Sequence, residues 1–205
     1  GLEIIKQLWT QDEVEFSGKY YQIPRVRPTS KPVQKPHIPI WVGGGVDQSI
    51  SRIARHGYTW VIPPPRARIS GIAPQVKMYL DTLKQNGHPL PAIRPMRCDG
   101  YLSEDTDAAW TEAQGLYQWH YSVLQQWGHD PKNPEGAPEA TTFRQQSQDR
   151  FVIGSPSDAI NFFERCEREL GVNLIIVRLH YVGMSFEAKV RQVRLFGEKV
   201  IPHLQ

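Results

Sequence analysis

"IPIWVGGGVDQSISRIARHG", residues 38–57, sets an apolar run of strand length against three consecutive glycines and then a helical pattern opening at Asp47. Glycine at that junction costs backbone entropy and adds no packing, so something must use the bare main chain. A dinucleotide fingerprint needs a further glycine where Gln48 stands, and an acidic residue at the next strand end, where Pro63 stands. A nucleotide P-loop needs Gly-Lys-Ser/Thr, and no lysine follows these glycines. Two readings stay open. Free amides at a helix N-terminus make a phosphate site without any fixed side chain, with Ser49 adding a hydroxyl. The alternative is a tight strand–helix turn with Asp47 as N-cap and no ligand.

Working outward, the same alternation recurs. A strand at 39–43 leads to a helix over about 47–56, stopped by Gly57. A strand at 58–62 ends at Pro63-Pro64-Pro65, and a helix over 69–86 carries Ile72, Val76, Tyr79, Leu80 and Leu83 on one side. A third strand lies within 93–102. The span 105–127 is helical, with Ala109, Ala113, Leu116, Tyr117 and Leu124 near one face. Residues 128–150 are polar and punctuated by Pro and Gly, which predicts an exposed insertion loop and a candidate lid. Ser155, Pro156 and Asp158 open a helix that Gly171 closes. A strand at 173–179 follows, then a helix capped by Ser185 with Val190, Val193 and Phe196 facing inward. Four strands each followed by a helix mean an α/β fold with a parallel sheet and outer helices. That is half of an eight-stranded barrel or a small open sheet. Ahead of this alternation, 2–9 reads as a short amphipathic helix and 14–23 as a hairpin turning at Ser17-Gly18. A proline-rich extended stretch follows from 24 to 39.

The 205 residues suit a single domain, and the net charge of +3 is modest. The pairs Arg25/Arg27, Arg52/Arg55, Arg66/Arg68 and Arg191/Arg194 form no continuous stripe, which argues against nucleic acid as a partner. No apolar stretch reaches membrane-spanning length. Cys98 and Cys166 stand far apart without a metal-ligand partner and read as reduced thiols of a cytoplasmic protein. The seven histidines form no H-x-x-x-H pair, so no metal site is expected.

"EIIKQLWTQDEVEFSGKYYQI", the proline-rich run, "PIWVGGG" and "IARHG" together resemble the bacterial luciferase-like monooxygenase superfamily. "GSP" with an acidic residue soon after, and the ending "HYVGMSFEAKVRQVRLFGEKVIPHL", are similar to the same family. The resemblance implies the C-terminal half of a (β/α)8 TIM-type barrel, N-terminally incomplete, with the first strands absent. The missing half would come from elsewhere, as a complementing barrel half or within a homo-oligomer. The resemblance also implies reduced FMN as cofactor, or in one branch a deazaflavin coenzyme. Gly43, Gly44, Gly45, Val46 and Ser49 would hold the flavin phosphate, mostly through backbone amides. Trp60, Ile62 and Pro63, at the next strand end, would lie beside the flavin ring, with Trp41 and Trp60 read as core or flavin-flanking rather than as substrate anchors.

Side-chain alternation on the last strand places Arg178 and His180 on one face near its C-terminal end, where parallel barrels keep their chemistry. Arg178 would hold an anion and His180 move a proton; the structural alternative is a salt-bridged arginine and a capping histidine. Arg97, Asp99 and Tyr101 share a face of the third strand, where an internal Arg–Asp pair is the favoured reading. Trp119, His120 and Tyr121 are successive helix residues, so they divide between core and surface.

The expected function is a flavin-dependent monooxygenase. It would take reduced FMN from a separate flavin reductase, since no nicotinamide fingerprint is present, and use oxygen on a small organic substrate. The alternatives are deazaflavin-dependent hydride transfer and a non-catalytic truncated barrel.

Overall fold

The computed structural model describes residues 1–63, 68–128 and 142–204. Arg66 and most of the candidate lid, residues 129–141, lie outside the described residues. The chain divides into two compact units, Gly1–Ile40 and Trp41–Gln205.

In the first unit, α1 (Leu2–Thr10) buries Ile4, and β1 (Val14–Ser17) pairs antiparallel with β2 (Gln22–Val26). The turn is wider than Ser17-Gly18: Gly18 N–H donates to Tyr21 O at 2.9 Å, and β2 runs on through Pro24 to Val26. Glu13 pairs with Arg25 and Arg27, and Lys31 donates to the carbonyls of Leu8 and Gln11 near the C-terminal end of α1. One basic side chain thereby satisfies carbonyls that no helical amide can reach.

The second unit is built on parallel strands. β3 (Trp41–Gly43) pairs with β4 (Thr59–Val61), joined by α2 (Asp47–Arg55). α3 (Ile69–Gln85) leads to β5 (Pro95–Leu102), and α4 (Thr106–Gln126) follows it. Ile62 N–H donates to Pro95 O at 3.0 Å and Arg97 N–H to Ile62 O at 2.8 Å, so the sheet continues from β4 into β5. β7 (Leu174–Arg178) lies along the N-terminal part of β5, with Pro95 opposite Leu174 and Asp99 opposite Arg178. Arg94 O accepts from Asn173 N–H while the next carbonyl, of Pro95, accepts from Ile62. Successive carbonyls point to opposite edges, which puts β4 and β7 on opposite sides of β5.

One strand has no counterpart in the sequence reading. β6 (Val152–Gly154) pairs with Gly100–Leu102 of β5. Three residues between a polar stretch and a helix cap are too few to show any period. Just before it, α5 (Phe143–Ser147) and the residues up to Arg150 fall within the expected exposed loop, yet Ser147 and Arg150 are buried. Thr142 caps α5 with a reciprocal box to Gln145.

α6 (Pro156–Leu170) has the ends that its sequence announces. The Ser155 side chain accepts from Asp158 N–H, Asp158 reaches back to Ser155, and Gly171 closes the helix at φ 65° in the left-handed region. In α7 (Phe186–Lys199) the Ser185 cap holds, but the inward face is not the one expected. Val193 is 64% exposed, while Gln192 and Leu195 are buried and Phe196 packs on the core. Gln192 replaces a strand at that edge of β5: its Oε1 accepts from Leu102 N–H and its Nε2 donates to Leu102 O, both at 2.7 Å. A buried amide with both ends satisfied is stable there, although its polarity hides it from an apolar count.

α2, α3, α6 and α7 bury one sheet face. Ile50, Ile53, Trp60, Ile62, Met96, Cys98, Leu102 and Phe163 belong to that core, with Val42, Ile175 and Val177 packed against it. Burying each large apolar side chain contributes about 1.5–3 kcal/mol. A second cluster, including Tyr101, Ala109, Ala113, Tyr117, Phe151, Tyr181 and Met184, gathers under α4 beside the C-terminal half of β5. On the other sheet face, Trp41 is 39% and Ile176 41% exposed. Among the described residues no helix is long and apolar enough to cross a membrane.

Candidate functional site

The turn between β3 and α2 lies at the C-terminal end of a parallel strand. Val46 is the N-cap residue, in extended conformation and without a side-chain cap bond. Asp47 is not the cap: it is the first helical residue, and its Oδ1 accepts from Gln75 Nε2 of α3 at 2.9 Å. The carbonyl of Val46 accepts from Ser49 N–H, Ile50 N–H and Ser49 Oγ. The Ser49 hydroxyl proton is therefore committed to the Val46 carbonyl, at 2.8 Å. Among the described residues the amides of Gly45, Val46, Asp47 and Gln48 meet no protein acceptor. Four N–H groups at a helix start form a concentrated positive end of the helix dipole.

The three glycines differ in what the fold asks of them. None has the left-handed backbone that favours glycine. A Cβ on Gly44 would lie 2.6 Å from Ser49 Oγ and 3.2 Å from both Ser49 Cβ and Ile53 Cδ1, so packing requires glycine there. A Cβ on Gly45 would meet only Pro63 Cγ, at an ordinary 3.7 Å, and a Cβ on Gly43 would meet nothing within 4 Å. The protein's own packing leaves the bareness of Gly43 and Gly45 unused.

Trp60 and Ile62 stand on the helix-covered side of the sheet, which is the core reading of Trp60 rather than the flavin-flanking one. Trp60 is 3% exposed, its ring packs on Tyr79 of α3, and its Nε1 donates to Gly44 O at 2.8 Å. Ile62 lies in the same core under the helices. These two side chains brace the turn from behind. By alternation Pro63 shares the opposite face with Val61, and it lies beside Gly45. A strand that is apolar on both faces gives no contrast from which to read which face is which.

Two strands along, Asp99 is buried at 1% exposure on that same face. Its Oδ2 accepts from Arg178 Nη2 at 2.6 Å and from Tyr121 Oη at 2.5 Å, and its Oδ1 from Arg97 Nη2 at 3.3 Å. The favoured internal Arg–Asp pair is present, and it draws in Arg178 from the neighbouring strand. Burial opposes the Arg178 charge, but the Asp99 carboxylate and nearby phenols outweigh it and raise its pKa. The Arg178 guanidinium also stacks over Tyr181, 4.7 Å from the ring centre. Tyr181 Oη donates to Tyr117 Oη at 2.6 Å. Burial first, and the negative charge of Asp99 next, push the Tyr121 and Tyr181 phenols up. Burial does the same, chiefly, to Tyr117. All three are neutral hydrogen-bonding groups at physiological pH.

The strand that was to carry both Arg178 and His180 reaches only the first. β7 ends at Arg178, and His180 lies beyond it, exposed. Alternation stops carrying a face once the strand stops, and Tyr181 is the residue that folds back into the cluster. From the helical run, Tyr121 enters the site, Trp119 is 52% exposed, and His120 lies between them, its ring 5.1 Å from that of Tyr121. Among the described residues no group of three or more His, Cys, Asp or Glu could hold a metal ion. Cys98 and Cys166 are free and buried.

A family model described as luciferase-like monooxygenase matches residues 2–174. Among solved structures the chain is similar to the monooxygenase RslO1 from Streptomyces bottropensis, with a TM-score of 0.80 and 21% identity over 100% of this chain and 60% of that one. It is similar to the oxygenating constituent of 3,6-diketocamphane monooxygenase from Pseudomonas putida, solved with FMN, with a TM-score of 0.75 and 13% identity over 100% and 62%. It is also similar to the coenzyme F420-dependent tetrahydromethanopterin reductase from Methanopyrus kandleri, with a TM-score of 0.73 and 19% identity over 100% and 62%. At these identities the likeness is one of fold. The matched region spans 18–60% of the curated relatives' own lengths.

Proposed function

We propose, because the chain belongs to the luciferase-like monooxygenase family, that it is the cofactor-holding portion of a flavin-type oxidoreductase. Its strands would form the C-terminal half of a (β/α)8 barrel, completed by a complementing half or by a second copy. The cofactor is reduced FMN delivered by a separate reductase, and a small organic substrate is oxidised with molecular oxygen. One observation carries this reading: Gly43 and Gly45 are bare where neither backbone strain nor crowding asks for it, beside four amides that meet no acceptor. A phosphate that must reach the main chain accounts for both facts.

The residues present fit such a group. The amides of Gly45–Gln48 would hold its phosphate, Gly44 keeps the turn closed, and Trp60 fixes the Gly44 carbonyl from behind. Pro63 and Trp41 would border the ring. When bound, the flavin supplies the redox chemistry, and the protein binds, orients and excludes water. Arg178, held with Tyr121 on the Asp99 carboxylate, presents a fixed donor at the C-terminal end of the sheet, and His180 is a candidate proton carrier at its rim.

A second reading, deazaflavin-dependent hydride transfer without oxygen, has support of similar strength. The F420-dependent neighbour superimposes nearly as well as the FMN-containing one, with TM-scores of 0.73 and 0.75. Titrating the protein with FMN and with coenzyme F420, then following oxygen uptake with each reduced cofactor, tests both. Binding of FMN with oxygen consumption supports the first reading, binding of F420 alone the second, and binding of neither refutes both.

A further inference from the structure

Around Asp99 the charges do not balance. Its one buried carboxylate faces two guanidinium groups, Arg97 and Arg178, and the tyrosines that complete the cluster are neutral. The nearer pair takes most of the carboxylate: Arg178 and Tyr121 share one oxygen at 2.6 and 2.5 Å, while Arg97 reaches the other only at 3.3 Å. Two further observations point to a missing acceptor. Arg178 Nε is buried and has no hydrogen-bond partner, a state that buried donors rarely keep. Arg97 is 37% exposed, and the long bond to Asp99 is its one side-chain hydrogen bond among the described residues. Both arginines lie on the sheet face opposite α2, α3, α6 and α7: Arg97 beside the exposed Ile176, and Arg178 against Tyr181 where Tyr121 of α4 reaches Asp99. Arg97 is also level with the glycine turn. It bonds Ile62 O through its amide, and Pro63, the next residue, borders Gly45.

We infer that Arg97 and Arg178 form an oxyanion-binding bracket that takes a carboxylate or phosphate group of the organic ligand. The inference rests on the proposed function for the kind of ligand, and on the geometry alone for the anion. Guanidinium groups bind planar oxyanions through paired charge-assisted bonds, and an apolar surround keeps such bonds strong.

The test is a titration of the 15N-labelled protein, followed at the arginine Nε–H signals and assigned with Arg97→Gln and Arg178→Lys. The probes are sodium benzoate, inorganic phosphate and, as neutral control, benzyl alcohol, at low ionic strength because the exposed part of the site is screened by salt. Benzoate or phosphate is expected to move the Arg178 Nε–H signal saturably, and benzyl alcohol to leave it in place. Arg97→Gln, half-exposed and loosely bonded, should melt like the wild type and bind the anion about tenfold or more weakly. A preference for benzoate assigns the bracket to a substrate carboxylate, and a preference for phosphate to a substrate phosphate. No saturable shift with either anion in the millimolar range, or one unchanged by Arg97→Gln, overturns the inference. FMN titration of the same samples separates the two claims. Flavin binding with both anions silent refutes the bracket alone, and anion binding without flavin or F420 binding refutes the proposed cofactor alone.

Discussion

Substituting alanine at Gly44 and at Gly45 should give opposite outcomes, because two neighbouring glycines serve different masters. At Gly44 the new methyl would sit 2.6 Å from Ser49 Oγ and 3.2 Å from Ser49 Cβ. Ser49 must then turn and give up its bond to Val46 O, worth about 1 kcal/mol net. With the crowding against Ile53 Cδ1, the total comes to about 1–3 kcal/mol of lost stability. At Gly45 the methyl meets only Pro63 Cγ at 3.7 Å, and the backbone there is not left-handed. Alanine should leave stability unchanged or raise it by about 0.4–1 kcal/mol, by narrowing the unfolded ensemble.

Binding should run the other way. A methyl on Gly45 stands beside the amides that would hold the phosphate. Losing one bond to a charged group costs about 1.5–3 kcal/mol, a drop in FMN affinity of roughly 10- to 100-fold. Urea unfolding and quenching of flavin fluorescence read the two quantities on the same samples. If Gly45→Ala binds FMN as the wild type does, the bare backbone is not used by a ligand. If it unfolds as easily as Gly44→Ala, the turn needs glycine for its own packing. Either result refutes the reasoning.

Gln192→Leu removes both partners of Leu102's buried amide and carbonyl, and should cost about 3 kcal/mol or more in urea unfolding, more than an apolar substitution for a polar residue usually suggests. Ser155→Ala should cost about 1 kcal/mol by uncapping α6. At Asp158 burial works against ionisation, but hydrogen bonds from Thr106 and Ser155 win, so its folded pKa lies below the ordinary 3.8. Its contribution is therefore full above 3.8 and lost as pH falls through the folded value; Asp158→Asn should be less stable than wild type at neutral pH, with the gap closing on acidification. Burial pushes the Cys166 thiol up to about 12 and the Cys98 thiol well above its usual value, so a maleimide at mildly alkaline pH should label neither until the protein unfolds; rapid native labelling would contradict their placement.

Much of the second unit was legible because its signals are local. Ser155, Pro156, Asp158 and Gly171 fix both ends of α6 by chemistry that acts within a few residues. The strand–glycine–helix junction at 41–47 is equally self-contained. What escaped was whatever a distant residue decides. β6 exists because Gly100–Leu102 offers it an edge, and three residues cannot announce that. Gln192 is buried because Leu102 lacks a strand neighbour on that side, so the inward face of α7 follows the sheet's need for hydrogen bonds rather than its own apolar residues.

The candidate site shows the same division more sharply. Arg97 and Asp99 were readable as a pair because two residues along a strand share a face. Arg178 could be placed on the inner face by the same rule, but its engagement with Asp99 required the register between β5 and β7. His180 was lost where the rule lapses, two residues past the strand's last paired position. The sequence leaves Trp60 between core and flavin-flanking, because Val61 on the other face is apolar too; Tyr79 and the Gly44 carbonyl, each from another element, decide for the core. The consequence for function is specific. With Trp60 behind the turn, no aromatic side chain of β4 faces the front of it, and on the proposed function affinity would come from main-chain amides and from arginines across the sheet. Trp60→Phe should therefore weaken FMN binding only through the Gly44 carbonyl it no longer holds. The measurement is a double-mutant cycle with Gly45→Ala: both act on one turn, so their effects on affinity should fall short of additive, and strict additivity would refute the claim that Trp60 acts through that turn.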